Sequence, residues 1–301
     1  MPFQSSDAFR RFQASVLRRQ RFVHEEHVRA FLETVKETSA SRIQVMQKDY
    51  PLWRAQLGYE LEWDHPGAPY AEEVPAAYGP KRMKPTPSYA KDGRINPHGI
   101  AYLYLATDRD TACAEVRPWL GAYISVGFFS TNREIRLVDC TSDQRRFPFR
   151  AFTTSGAIPW PPEEYEGVVW GEIGAAMTLP IAPVDSRLGY IPTQIIAEAI
   201  LETGVDGIAY KSQLVDEGVN IALFNLEDAT LHSCQLMEAA QVRFKFDESD
   251  NPYYVRAKKD PPNTRDLSPP AHESTFEGPE KPAEEKASGI VTDGRAQDLG
   301  E

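Results

Sequence analysis

The residues most able to do chemistry in this chain fall in two nearby stretches. The first is Gly93-Arg94-Ile95-Asn96-Pro97-His98-Gly99, running on into Ile100-Ala101-Tyr102-Leu103-Tyr104-Leu105-Ala106; the second is Ala114-Glu115-Val116-Arg117-Pro118. Glycine and proline place Arg94 in a turn, where backbone can come close to a ligand. Its guanidinium is a planar fork that grips phosphate oxygens in pairs, as a lysine does not. An aromatic-rich strand follows, and then a short helix with one carboxylate. Together these suit an anionic ligand with an aromatic ring, attacked at a carbon that becomes positively charged.

A dinucleotide such as NAD fits that description, and cleavage of its nicotinamide–ribose bond makes few demands. The pyridinium leaves as a neutral base, so no general acid is needed. What remains is an oxocarbenium-like ribose. One carboxylate beside it supplies the electrostatic term that usually dominates catalysis, whereas ordinary glycoside hydrolysis requires two.

Glu115 is the candidate for that carboxylate. Its neighbours Ala112, Cys113, Ala114 and Val116 are small or apolar and limit its hydration. The competing reading is a helix-surface glutamate paired with Arg109 or Arg117, since charged helical residues are usually exposed. Arg94 either serves a bound anion or pairs with a surface acid. Arg54 follows Trp53 in an apolar strand, where an unpaired charge is costly to bury; it reaches solvent at a sheet edge or serves an anion pocket. Tyr102 and Tyr104 are two apart and share a sheet face, either stacking on a ligand ring or packing in the core.

Ser212 follows a strand at 207–211 and reads as a hydrogen-bonding residue of the site or as a turn initiator. No Gly-x-Ser-x-Gly elbow surrounds it, which argues against an activated nucleophile. Asn220 contacts ligand or closes a local hairpin. His24-Glu25-Glu26-His27 matches neither HExxH nor HxxEH and reads as a solvated helix face. The sequence has no Walker loop and no G-x-G-x-x-G, so a Rossmann dinucleotide site is not supported. The proposed chemistry needs no metal.

The elements that must position these residues follow from periodicity. Residues 5–49 read as helical, with Phe9, Phe12 and Val16 on one face, the spacing repeated by Val28, Phe31, Leu32 and Val35, and a break at 39–41. Residues 52–57 read as a strand containing Trp53-Arg54-Ala55. Residues 60–92 are rich in Pro, Gly, Tyr and Glu without periodicity, and read as a long loop or a lid over ligand. A strand at 100–106 leads to a short helix capped by Thr107 or Asp108 and ended by Pro118. Strands at 122–129 and 135–139 precede an irregular stretch at 141–161. Helices follow at 163–178 and 193–202, with Gly204 as a stop, then strands at 207–211, 220–224, 233–236 and 242–246.

Beyond Asn251 proline and charge prevail, and too little apolar area remains to offset the entropy of ordering, so a disordered tail is expected. The chain reads as one α+β domain: a helical extension at 1–49, the ligand-binding catalytic domain at 50–247, and an acidic, proline-rich tail at 248–301.

The formal charge of −11 over 301 residues excludes a protein whose main task is gripping nucleic-acid backbones. An anion site here is a local basic pocket in an acidic chain. Cys113, Cys140 and Cys234 lie far apart with no C-x-x-C pair, which indicates neither a disulfide frame nor a zinc ribbon. The apolar runs are of strand length and no secretory signal is visible, so a cytoplasmic protein without a membrane segment is expected.

Several of these segments, in order, resemble the RES family, named for its arginine, glutamate and serine. The likeness runs from about Leu52 to Phe246. It is carried by Trp53-Arg54-Ala55, Gly93-Arg94 with Asn96 and Gly99, Tyr102-Leu103-Tyr104-Leu105-Ala106, the helix of Glu115, and Asp206-Gly207-Ile208 through Ser212 to Asn220 and Phe224. It implies a fold related to ADP-ribosyltransferases, with small sheets around an NAD cleft. It also implies a toxin of a type II toxin–antitoxin system that degrades NAD+ by phosphorolysis or hydrolysis. In that role Arg54 and Arg94 bind anions, Tyr104 contacts ring or ribose, Glu115 is catalytic, and Ser212 is the family's serine. Inorganic phosphate is then a possible co-substrate, an Xre-like helix-turn-helix antitoxin the partner, and a toxin dimer the assembly. Some relatives instead transfer ADP-ribose to a protein; a nucleotide-binding module without catalysis is the third possibility. The sequence departs from the pattern at Gln56, where many relatives carry a second arginine.

Overall fold

The computed structural model describes residues 2–142, 161–179 and 186–243. Two helices come first, α1 (Ala8–Arg18) and α2 (Glu26–Ser39). Each buries one stripe, Phe9, Phe12 and Val16 in α1 and Val28, Phe31 and Val35 in α2, because three- and four-residue steps return to one helix face. The stripes meet where Phe12 stacks on Phe31, ring centroids 4.6 Å apart. The helical stretch read over 5–49 breaks at Ser39, as expected, but does not resume beyond it. A 3-10 turn at Ala40–Arg42 leads into a strand, β1 (Ile43–Met46), made by pairing with residues 135–138 rather than by any pattern of its own.

Strand β2 (Pro51–Leu57) follows, and then a hairpin of β3 (Glu60–Asp64) and β4 (Glu72–Ala76) where a loop or lid was expected. Every residue of β3 is exposed, so the alternation that marks a half-buried strand is missing from its sequence. A short helix α3 (Pro80–Met83) and a 3-10 turn at Pro87–Tyr89 precede β5 (Leu103–Ala106) and α4 (Arg109–Glu115). Next come β6 (Tyr123–Thr131), β7 (Ile135–Asp139), α5 (Tyr165–Thr178), α6 (Ser186–Gly189) and α7 (Ile191–Leu201). Gly204, with φ +77°, ends the last helical stretch, as the left-handed position after a helix favours glycine. β8 (Gly207–Lys211), β9 (Val219–Leu223) and β10 (Ala229–Glu238) complete the described chain. Of the strand expected at 242–246, Val242 and Arg243 carry none and the remainder lies outside the described residues, as do the tail and nearly all of 141–161.

The fold is α+β. Among the described residues, the strands apart from the hairpin form one eight-stranded sheet in the order β1-β7-β8-β9-β5-β2-β6-β10, with only β7 and β8 parallel. The sheet has a seam. β2 pairs with β6 from Pro51–Ser130 to Leu57–Ile124, but with β5 only through Trp53 and Ala106. The eight strands therefore amount to two smaller sheets joined at one residue pair, and the seam between them is where a cleft can open.

Both faces of the larger half are buried. On one, Val138, Ile208 and Ala222 pack with Phe12, Phe31, Trp170 and Ile200 of the helices. On the other, Leu103, Leu105, Leu137, Ile221 and Leu223 pack with Leu52, Phe129 and Met83. Alternation along β5 and β9 assigns each side chain to its face. Among the described residues no helix is long and apolar enough to cross a membrane.

Candidate active site

A cavity of about 320 Å³ opens at the seam. Its floor is made by Trp53 and Arg54 of β2 and by Tyr104 and Ala106 of β5. Arg94 and Glu115 come in from the turn before β5 and from α4, and Tyr190, Tyr210 and Asn220 close the remaining side. Both arginines, Tyr104, Glu115 and Asn220 of the sequence-derived set thus share one cavity.

Glu115 owes its place to the two ends of α4. Asp108 caps the helix, its carboxylate accepting from Thr111 N and Oγ1, each at 2.7 Å, as N-cap aspartates do. At the other end Arg117 turns left-handed, φ +50°, its N–H donating to Ala114 O at 2.9 Å, and Pro118 prevents continuation. Glu115 is the last helical residue. Its Oε1 accepts from Ser212 Oγ and Asn220 Nδ2, each at 2.7 Å, while no described residue donates to Oε2. Arg109 pairs with Asp110 instead, at 3.7 Å, so the surface-pair reading of Glu115 gives way to a carboxylate oriented by two neutral donors. Ser212 itself is not a lining residue; it stands behind Glu115. Its loop closes against α4 because Gly218 has no Cβ, which at that position would run into the Thr111 side chain.

Arg54 sits on an interior strand, not at a sheet edge. Nη1 donates to the Tyr104 carbonyl at 3.0 Å, whereas Nε is shut away from solvent without a hydrogen-bond partner. Burial lowers its pKa from 12.5 to about 10, so it remains a cation at neutral pH. A half-buried cation whose Nε is sealed from solvent, with no carboxylate partner among the described residues, is costly, and an incoming anion relieves that cost. Arg94 donates through Nη1 to the Leu179 carbonyl, and its guanidinium lies 6.0 Å from the Tyr190 ring centroid.

Tyr104 lies between the arginines. Its hydroxyl donates to Asn96 Oδ1 at 2.7 Å and accepts from Ile95 N at 3.2 Å. Burial holds the phenol well above its ordinary pKa, so it is a neutral strut whose ring walls the cavity. Tyr102 shares its face, as two-residue spacing requires, but does not line the cavity. It is buried edge-on against Phe224, centroids 5.0 Å apart, and the ligand contact expected of it is replaced by core packing. Among the described residues no group of three His, Cys, Asp or Glu side chains is placed to hold a metal ion.

The profile of the RES domain matches residues 51–247. The chain belongs to the RES domain family. No curated protein matches it. Among solved structures, a chain in the crystal structure of the M. tuberculosis MbcT-MbcA toxin-antitoxin complex is similar over 68% of this chain and 91% of its own, with 12% identity and a TM-score of 0.35. Every residue named above for the cavity falls within the matched RES segment, while α1, α2 and β1 precede it.

Sequence reasoning left out three aromatic walls of the RES cavity. Tyr210 had a usable signal, since it stands two residues before Ser212 and strand alternation puts both on one side. Trp53 was visible in its strand, but nothing there points it at a ligand. Tyr190 had no local signal at all.

Proposed function

We propose that this RES domain protein consumes NAD+ by breaking the bond between nicotinamide and ribose. The observation that supports the reading is the convergence of Arg54, Arg94 and Glu115 on one cavity walled by aromatic rings. Two guanidinium groups match the diphosphate of a dinucleotide in charge and fork geometry. The Tyr104 ring offers a flat apolar surface to the nicotinamide mononucleotide half. As the glycosidic bond breaks, its electron pair leaves with the pyridine nitrogen and positive charge develops on the ribose. Glu115 Oε2, unengaged by the described residues, faces that charge, with Ser212 and Asn220 fixing the carboxylate through Oε1. An oxygen of inorganic phosphate or of water then bonds to the anomeric carbon and releases its proton to solvent. No step calls for a metal.

The family resemblance extends the proposal: a toxin, dimeric, acting in the cytoplasm and neutralised by an Xre-type antitoxin. The experiment is NAD+ incubation with and without phosphate, followed by product identification. Nicotinamide with ADP-ribose indicates hydrolysis; nicotinamide with phosphorylated ADP-ribose indicates phosphorolysis. Label appearing on protein would replace this reading with ADP-ribosyl transfer, and no turnover at all would leave a nucleotide-binding module.

A further inference from the structure

The turn that carries Arg94 is held from behind by the first turn of α7. Gln194, 9% exposed, donates through Nε2 to two carbonyls of that turn, Gly93 O at 2.9 Å and Asn96 O at 3.0 Å. Thr193, fully buried beside it, has its hydroxyl against the Arg94 carbonyl. The side chain of Asn96 completes the frame from within, Nδ2 donating to Lys91 O at 2.9 Å and Ile100 O at 2.8 Å. A primary amide nitrogen has two N–H groups, and here each meets a carbonyl flanking Arg94-Ile95. Nearby α7 positions are the apolar Ile191, Ile196 and Ile200, so packing alone gives no reason for an amide at 194. The turn gives one.

We propose that Gln194 is a positioning residue for Arg94: its amide fixes the Gly93–Asn96 turn against α7, so that the guanidinium stands ready in the cavity before ligand arrives. This rests on Arg94 anchoring a diphosphate, as argued above. An arginine on a loose turn would have to surrender backbone and side-chain freedom on binding, which weakens affinity without removing any contact.

The test is calorimetric binding of ADP, a diphosphate probe, to the full chain and to Gln194→Met, Arg94→Ala and the double variant. Methionine keeps the length and apolar fit but donates nothing. Gln194→Met should weaken ADP binding about tenfold, the scale of losing one or two hydrogen bonds. In the Arg94→Ala background it should weaken binding no further, because nothing remains to be positioned. NAD+ turnover should show the same asymmetry, KM rising about as much while kcat changes far less. If the methionine variant folds poorly, Gln194→Asn, whose shorter amide reaches one carbonyl at most, should fall between. Wild-type affinity in Gln194→Met, or losses that multiply in the double variant, would overturn the proposal. Absence of NAD+ turnover with ADP binding intact removes only the catalytic reading, and calorimetry still decides Gln194. Absence of ADP binding to the wild type removes both Arg94's anchoring role and this proposal.

Discussion

Arg54 donates to the main-chain carbonyl of Tyr104 at 3.0 Å, while the hydroxyl of the same tyrosine supports the turn that carries Arg94. One residue therefore sets the spacing of two arginines drawn from different elements. The single bridge between β2 and β5, Trp53 with Ala106, lies beside it. The same place in the sheet thus opens the cleft and organises its cations.

The charge of Arg54 can be tested by substituting a weaker base. Burial brings the guanidinium from 12.5 to about 10; the same desolvation acts downward on a lysine, which starts lower, at ~10.4. The protonated form binds the anion, so affinity is lost as pH rises through the lysine's lowered pKa. Arg54→Lys should bind ADP well at pH 7 and poorly at pH 9, whereas the wild type holds its affinity over that interval. Parallel pH profiles for the two proteins would rule out Arg54 as an anion ligand.

Tyr104→Phe separates the hydroxyl from the ring. The ring wall stays, but Asn96 Oδ1 and Ile95 N lose their shared partner in a buried setting. The expected cost is about 1–3 kcal/mol of stability, read from chemical denaturation. Anion affinity should fall through the loosened Arg94 turn, while kcat at saturating NAD+ is largely kept. A large kcat loss with unchanged stability would assign the hydroxyl to the chemistry instead.

At Glu115 the shared oxygen makes a clean comparison possible. Glu115→Gln retains an oxygen that can accept from Ser212 and Asn220 while removing the charge, so the fold should stay intact and turnover should fall roughly a hundredfold or more. Ser212→Ala and Asn220→Ala leave the charge but free the carboxylate, and each should cost less. Because both donate to Oε1, their effects should not be independent, and the double variant is the measurement that shows it.

The sequence revealed the site residues that stand in local motifs and missed those that reach it across the chain. Asp108, Glu115 and Pro118 announce a short capped helix, and that helix is present. Arg54 looked anomalous in an apolar strand, and it lines the cavity with its Nε sealed from solvent. Gln194 acts on carbonyls about a hundred residues earlier, and Tyr190 meets Arg94 only across the fold, so no spacing rule could find them. The β3–β4 hairpin was hidden for another reason: an exposed, acidic strand pair has no buried face to impose alternation on its sequence. β1, four residues long and only partly covered, is a strand by virtue of its partner.

The N-terminal helices lie outside the matched RES segment, yet their side chains belong to its core. Phe12 is fully buried and stacked on Phe31. The cluster they join continues through Trp170 and Ile196 to Ile208 and Tyr102 of the sheet. Trp170 fastens the junction, Nε1 donating to Thr38 Oγ1 at 3.1 Å with the Arg42 guanidinium over its ring. A cluster without a gap should unfold without a gap. Phe12→Ala should therefore cost about 3–5 kcal/mol and move the whole denaturation curve, near-ultraviolet circular dichroism and tryptophan fluorescence shifting together. An early transition confined to helix content, with tryptophan fluorescence unmoved, would make the extension a separate unit. Since α7 stands between these helices and the Arg94 turn, a single transition would also make anion binding depend on residues that never approach the cavity.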